Sequence, residues 1–355
     1  MAKVIACFNN KGGVGKTTTL WNLGISLAEM NLSVLLIDFD PQCNLSIAVL
    51  GSDNFSMCLE SSDEYPFGKT IRSYALPYLQ QNRIGEIFPF QPKIIPPGRT
   101  IDLDIIAGDF WLNNYSDILN VGTDVIGGGG LYRFLMPSRL IDAAEERKGS
   151  NYDFVLIDLP PSFNTLVRSA LYSSDYFIVP CTPDLFSAYC IGLIGTVLPG
   201  FIEDWEIGKT RYLALNRHDT LIPSKGRPKF GGWIFNGFDT RKKPGEDMIT
   251  QTGADRAQFE KIKDSVRYEL LTKLENIPNY DSVPPFIDHN PVASIEDLNV
   301  MAPDSIVQNV PIKYLSWRRP TRVLGRGTWS GDQKELMRRM DEEYDKLAKF
   351  IVNNY

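Results

Sequence analysis

A chain of 355 residues is long enough for one large α/β domain or two smaller ones, and its net charge of −6 argues against a surface that binds nucleic acid over its whole extent. Five cysteines without a C-x-x-C pair, and two histidines (His218 and His289) without metal-ligand spacing, exclude a paired-cysteine or histidine metal centre and predict reduced thiols in a cytoplasm. No apolar run is read as long enough to cross a bilayer, and Met1-Ala-Lys-Val leads directly into a core strand rather than a signal peptide, so no membrane partner is expected.

The first predicted element is a strand over Val4-Ile-Ala-Cys-Phe8. It runs into Lys11-Gly12-Gly13-Val14-Gly15-Lys16-Thr17-Thr18, a glycine-rich turn with two lysines. Leu20, Leu23, Leu27 and Met30 follow at helical spacing, with Gly24 and Ala28 allowing close packing. A turn between strand and helix lets successive backbone N–H groups point inward, and the helix N-terminus adds partial positive charge where an anion sits. Lys16 can then reach the terminal phosphates of a nucleotide, while the Thr17 hydroxyl is placed to ligate Mg²⁺. The ordinary phosphate-loop pattern has glycine where this chain has Asn10, and the loop instead matches the deviant form K-G-G-x-G-K-[ST].

Val34-Leu-Leu-Ile37 reads as a strand buried on both faces that delivers Asp38-Phe-Asp40-Pro-Gln42 at its end. The stretch from about 52 to 150 is long for a simple crossover and is read as an insertion. It contains proline-rich Phe88-Pro-Phe-Gln-Pro92 and Ile95-Pro-Pro-Gly98, an alternating strand pattern over Ile101–Gly108, a flexible connection at Gly127–Gly130, and a helix over Leu131–Arg147. No Lys-Ser/Thr follows the four glycines, which weighs against a second phosphate cradle. Phe154-Val-Leu-Ile157 then ends in Asp158-Leu-Pro-Pro-Ser162, a Walker B pattern whose aspartate holds the Mg²⁺ shell. In an open parallel sheet, ligands bind beyond the carboxyl ends of the strands, so these segments converge on one crevice. Cys7 and Cys43 flank it and read as small buried apolar residues.

Later in the chain, Pro223–Gly232 and Asn276–Pro291 read as loops. Between Lys313 and Lys349 lie ten basic and six acidic residues, with Arg318, Arg319, Arg322 and Arg326 around Trp317 and Trp329. Such a patch can contact phosphates without reading sequence. Within it, Lys334–Lys349 alternates charge as a solvated helix does, with Leu336, Met340, Tyr344 and Leu347 turned inward. Alternation of apolar strands with helical patterns predicts one α/β domain over 1–355: a doubly wound, mostly parallel sheet flanked by helices, with a helical, locally basic segment at about 313–355.

K-G-G-V-G-K-T-T, L-L-I-D-F-D-P-Q and V-L-I-D-L-P-P-S together resemble the ParA/MinD group of deviant Walker P-loop ATPases, and within it the ParA-type partition proteins. The resemblance extends through Asp175–Ser187 and, more loosely, Ile295–Ile312. It implies an ATP-dependent homodimer in which Lys11 crosses to the partner's phosphates, Asp40 orients the attacking water, Asp38 supports the metal side and Thr18 contacts phosphate. It also implies slow Mg²⁺-dependent ATP hydrolysis stimulated by an adaptor protein, and nonspecific DNA binding by the dimer. The adenine contact in this group is often an Asn at the end of a late strand. Here Asn236 in Trp-Ile-Phe-Asn-Gly-Phe is preferred over Asn216 in Tyr-Leu-Ala-Leu-Asn-Arg, because Gly231-Gly232 precedes it and Asp239-Thr-Arg-Lys-Lys243 looks like the exit loop. The reading of a partition or cargo-positioning switch stands against that of a metabolic or regulatory ATP-dependent enzyme on the same fold, whose substrate pocket would come from the insertion before Tyr152.

Overall fold

The computed structural model describes residues 2–93, 100–120, 124–242, 249–280, 289–321 and 327–355. Ile95-Pro-Pro-Gly98, Arg322, Arg326 and Lys243, together with the middle of the expected Asn276–Pro291 loop, lie outside the described residues.

The strands in chain order are β1 (Lys3–Cys7), β2 (Val34–Asp38), β3 (Pro89–Phe90), β4 (Leu103–Ile106), β5 (Phe154–Asp158), β6 (Tyr176–Cys181), β7 (Lys229–Phe238), β8 (Thr240–Lys242), β9 (Ile249–Gln251) and β10 (Ala293–Glu296). Eight of them form one sheet in the order β10-β7-β6-β1-β5-β2-β4-β3, while β8 and β9 make a separate antiparallel pair. Every pairing in the large sheet is parallel except β3 with β4, so the fold is the doubly wound, mostly parallel α/β sheet that the pattern predicts. Strands β2 and β5 are buried at every position. Side chains alternate between faces, so Leu35, Ile37, Val155 and Ile157 enter one core and Val34, Leu36, Phe154 and Leu156 the other. The register sets Asp38 directly beside Asp158 at the sheet's carboxyl edge, which is what brings the two acidic strand ends together.

On one face the Lys16–Glu29 helix packs with the C-terminal Gly331–Asn354 helix, which starts at a Ser330–Gln333 capping box and buries Met337, Met340, Tyr344, Leu347 and Ile351. Two asparagines tie the late chain to the early one. The Asn22 side chain accepts from the Ile312 N–H at 2.9 Å, and the Asn309 amide donates to the Ile47 carbonyl at 2.9 Å.

On the other face lies a long helix, Leu185–Leu215, whose buried residues Ser187, Cys190, Ile191, Ile194, Leu198, Ile202 and Trp205 recur at helical spacing. By length and composition alone it would suit a membrane span, a correction to the expectation that no such run exists; here its apolar stripe faces the core. Tyr212–Leu215, which would be a strand only in the less preferred alternative that ends at Asn216, is the end of this helix. Asn216 turns its side chain back onto the Tyr212 carbonyl at 2.9 Å and is exposed, so it does not end a strand of the sheet.

Other local expectations change for packing reasons. The Gly127–Gly130 connection packs against the long helix: a Cβ at Gly208 would meet the Val125 carbonyl at 1.8 Å, and one at Gly128 would meet the Gly208 carbonyl at 2.9 Å. The Leu131–Arg147 helix divides at Leu135, just before Pro137, into Leu131–Phe134 and Met136–Lys148. Lys229–Gly232, expected in a loop, belong to β7, which the neighbouring β6 pairs.

The helix from Gly253 passes through a π-helical stretch, Ser265–Leu271, where it lies on the long helix. Gly195 makes that approach possible, since a Cβ there would meet the Glu269 carbonyl oxygen at 2.2 Å, whereas one at Gly200 in the same helix would meet nothing within 4 Å. Gly195→Ala is therefore expected to destabilise the protein by about 1–3 kcal/mol, and Gly200→Ala to be neutral or to stabilise it by roughly 0.5 kcal/mol. Denaturant unfolding of the two variants checks this, and equal effects would contradict the close packing assigned to Gly195.

Candidate nucleotide site

The glycine-rich loop follows β1 and opens the Lys16–Glu29 helix. Gly13 and Gly15 sit at φ 72° and 82°, the left-handed region open to glycine, and no atom lies within 4 Å of a Cβ placed at Gly13, so the loop keeps open space above its backbone. Gly15 also leaves room for Asn236, whose amide nitrogen would lie 2.0 Å from a Cβ there. That amide donates to the Val14 carbonyl at 2.8 Å, so the end of β7 buttresses the loop.

The two lysines of the loop are held differently. Lys16 is buried, and its ammonium donates to the carbonyls of Lys11 (3.0 Å) and Asn9 (3.2 Å), across the inside of the loop. Burial pushes its pKa below the ordinary lysine value, against the pull of Asp158 and Asp40. Lys11 stands at the rim, where its ammonium donates to the Thr182 hydroxyl at 2.6 Å and pairs with the Asp184 carboxylate. Asp184 in turn caps the long helix by accepting from the Ser187 N–H at 3.0 Å. Burial works to raise the Asp184 carboxyl, but hydrogen bonds from Lys11 and Thr182 outweigh it and hold the pKa below the usual range. Leu185, Phe186 and Tyr189, immediately after this pair, are exposed apolar side chains, as is Phe110 beyond the end of β4.

The carboxylates gather opposite the loop. Asp158 accepts from the Thr17 hydroxyl at 2.6 Å through Oδ2, while its buried Oδ1 has no hydrogen-bond partner. Asp38 is fully buried, with Oδ2 accepting from both the N–H (2.7 Å) and hydroxyl (2.6 Å) of Ser46 and Oδ1 from the Asp40 N–H (3.3 Å). Its oxygens are thus engaged by the chain itself, whereas Asp158 keeps one bare buried oxygen. Asp40 accepts from the Gln42 N–H at 2.9 Å. Burial raises all three, and repulsion from neighbouring carboxylates adds to it at Asp38, pushed up to about 7, and at Asp158, pushed up to about 8. A hydroxyl, a carboxylate with a buried orphan oxygen and an excess of negative charge form a hard-oxygen set suited to Mg²⁺. Among the described residues no group of three or more His, Cys, Asp or Glu could hold a metal alone, so such an ion would draw further ligands from phosphate and water. All five cysteines are buried and unpaired.

The structure thus brings Lys11, Lys16, Thr17, Asp38, Asp40, Asp158 and Asn236 to one edge of the sheet, with Gly12 and Thr18 on the same loop. Asn9, Ser46, Thr182 and Asp184 were not singled out from the sequence. Only the helix-capping pattern Asp184-x-x-Ser187 carries a local signal for any of them.

A family model described as AAA domain matches residues 2–203. The chain is 36% identical over 188 residues to the chromosome partitioning protein ParA of Caulobacter vibrioides, a match that covers 52% of this chain and less than two thirds, 58%, of that protein. Two solved structures share the fold. A putative plasmid partition protein from Borrelia burgdorferi B31 bound to AMPPNP aligns over 99% of each chain at 17% identity with a TM-score of 0.54. The structure of pNOB8 ParA bound to nonspecific DNA aligns over 99% of this chain and 98% of that one at 18% identity, also with a TM-score of 0.54.

An acid whose pKa is raised on folding holds its proton more tightly in the native state, so the native state loses stability as pH rises from the ordinary carboxylate value of 3.8 toward about 8. The nucleotide-free protein should show this fall in its thermal midpoint, and Asp158→Asn, which removes the ionisable group, should flatten it. Parallel pH profiles for the two proteins would contradict the assigned burial cost.

Proposed function

We propose, because this chain belongs to the AAA-domain family of ParA-type partition ATPases, that it is an ATP-driven switch that pairs two copies around bound nucleotide and acts in partition of a plasmid or chromosome region or in cargo positioning. The observation that carries this reading is the division of labour between two lysines of one loop: Lys16 is buried inside it, and Lys11 is held at its rim beside exposed apolar side chains.

In this reading the phosphates of ATP lie over the backbone of Gly12, Gly13, Val14, Gly15, Lys16, Thr17 and Thr18, where inward N–H groups and the helix N-terminus favour an anion. Lys16 exchanges its two carbonyl partners for the terminal phosphates. Thr17 and Asp158 would hold Mg²⁺, with Asp38 supporting the metal side, and the ion would supply neutralisation of charge on the phosphate oxygens. Asp40 orients the water that attacks the terminal phosphorus, so that the bond to the bridging oxygen breaks and ADP and phosphate form. Phosphoryl transfer depends on positioning and electrostatics, which few groups supply. Asn236, already against the loop, faces the adenine.

Lys11 acts in trans. Leaving Asp184 and Thr182, it reaches the partner's phosphates and offsets the charge that builds during transfer, the work an arginine finger performs in other NTPases. Leu185, Phe186 and Tyr189, exposed directly after Asp184, support a second copy as the occupant of this face. The paired form binds DNA without sequence preference, an adaptor protein stimulates otherwise slow hydrolysis, and hydrolysis returns the protein to single copies in the cytoplasm.

Lys16→Ala is expected to abolish ATP binding. Lys11→Ala is expected to leave ATP affinity within about threefold while turnover falls by roughly 10³-fold. Equilibrium binding of a fluorescent ATP analogue and steady-state phosphate release measure the two effects, and full turnover in the Lys11 variant would remove the trans role.

A further inference from the structure

Outside the loop and its carboxylates, one fully buried polar side chain connects the catalytic segment to the rest of the sheet. Ser46 lies on the short Asn44–Leu50 helix, eight positions after Asp38. Its hydroxyl donates to Asp38 Oδ2 at 2.6 Å and accepts from the Gly108 N–H at 2.8 Å, beyond the end of β4, while its own N–H donates to the same Asp38 oxygen at 2.7 Å. The other oxygen of Asp38 accepts from the Asp40 N–H at 3.3 Å. The chain between is compact. The Cys43 N–H donates to the Asp40 carbonyl at 2.8 Å, Cys43 adopts φ 56°, and the Gln42 N–H donates to the Asp40 carboxylate at 2.9 Å. Residues 38 to 46 therefore form a loop closed on the Asp38 carboxylate and tied through one hydroxyl to Gly108, just beyond β4.

We infer that Ser46 is a positioning residue for hydrolysis, acting through Asp38 to fix the backbone from which the Asp40 carboxylate projects. A serine hydroxyl can donate one hydrogen bond while accepting another, and this one does both. Alanine would leave the Gly108 N–H without its acceptor and Asp38 without its shortest donor. The Ser46 N–H remains in such a variant, so the loop stays attached to Asp38 but loses its tie to Gly108. The Gly12–Thr18 loop, on which ATP binding chiefly depends, keeps its own contacts, so the loss is expected to fall on the geometry of the attacking water. Threonine keeps the hydroxyl and restores the link.

This inference rests on the reading of Asp40 as the water-orienting group, and the test separates the two. Phosphate release by the full chain is measured against ATP concentration for wild type, Ser46→Ala, Ser46→Thr, Asp40→Ala and the double variant Ser46→Ala/Asp40→Ala. Ser46→Ala should lower kcat about tenfold or more with KM for ATP within about twofold, and Ser46→Thr should recover most of that loss. In the Asp40→Ala background, Ser46→Ala should change the residual rate by less than about twofold, because two residues acting through one group are not additive. Unchanged kcat in Ser46→Ala, a matching loss of ATP binding, or full additivity with Asp40→Ala would each overturn the role of Ser46. Wild-type turnover in Asp40→Ala alone would instead overturn the reading of Asp40.

Discussion

Three carboxylates and one ammonium group share a crevice from which most water is excluded, and the rest of the site is arranged around that imbalance. Asp38, Asp40 and Asp158 are all buried, as is Lys16. Charges in such a place are stable only with partners. The chain supplies some of them: Ser46 to Asp38, Gln42 to Asp40, Thr17 to Asp158. One oxygen of Asp158 is left over, and burial first, then repulsion from Asp38 and Asp40, raises the pKa of its carboxyl. In the proposed function a divalent cation bound with a nucleotide would relieve both, and the two together would complete an electrostatic arrangement that the protein alone leaves unfinished.

The second lysine answers a different constraint. Lys11 cannot stand unpaired near the crevice at low cost, and within one copy of the chain its partners are Asp184 and Thr182. Asp184 also caps the long helix, so the group that holds Lys11 is fixed by the fold rather than by a mobile side chain. Moving Lys11 to another set of negative charges requires phosphates to replace that carboxylate. In the proposed switch, that exchange would link nucleotide occupancy to the face where Leu185, Phe186 and Tyr189 are exposed. The coupling needs no long path, because Lys11, its cis partners and the exposed residues belong to two segments that meet at one edge of the sheet.

Much of this was legible in the sequence because it is local. Glycine spacing, a continuous apolar run and an aspartate at its end are written in adjacent residues, and parallel pairing then brings Asp38 and Asp158 into register. What the sequence hid depends on contacts between distant segments. Asp184 lies 173 positions from Lys11, and the Gly108 N–H 62 positions from the Ser46 hydroxyl that accepts it. Gly127–Gly130 read as a flexible connection because glycine usually marks freedom; here small size lets two backbones touch. The Leu185–Leu215 helix was obscured by Gly192, Gly195, Pro199, Gly200 and Gly208, residues that argue against a helix one at a time. Tertiary packing of its apolar stripe outweighs their poor propensity, and so Asn216 lies at a helix end rather than a strand end.

The central claim is that ATP, by taking Lys11 from Asp184, pairs two copies of the chain. Its most direct test is the light-scattering mass of Asp40→Ala, chosen to suppress hydrolysis, on a sizing column with ADP, with ATP, and with ATP plus duplex DNA of arbitrary sequence. The account predicts a mass near that of the 40.0 kDa chain with ADP, a doubling with ATP, and DNA eluting with the doubled species. ATP bound in full with neither a change in mass nor any gain in DNA affinity would contradict it.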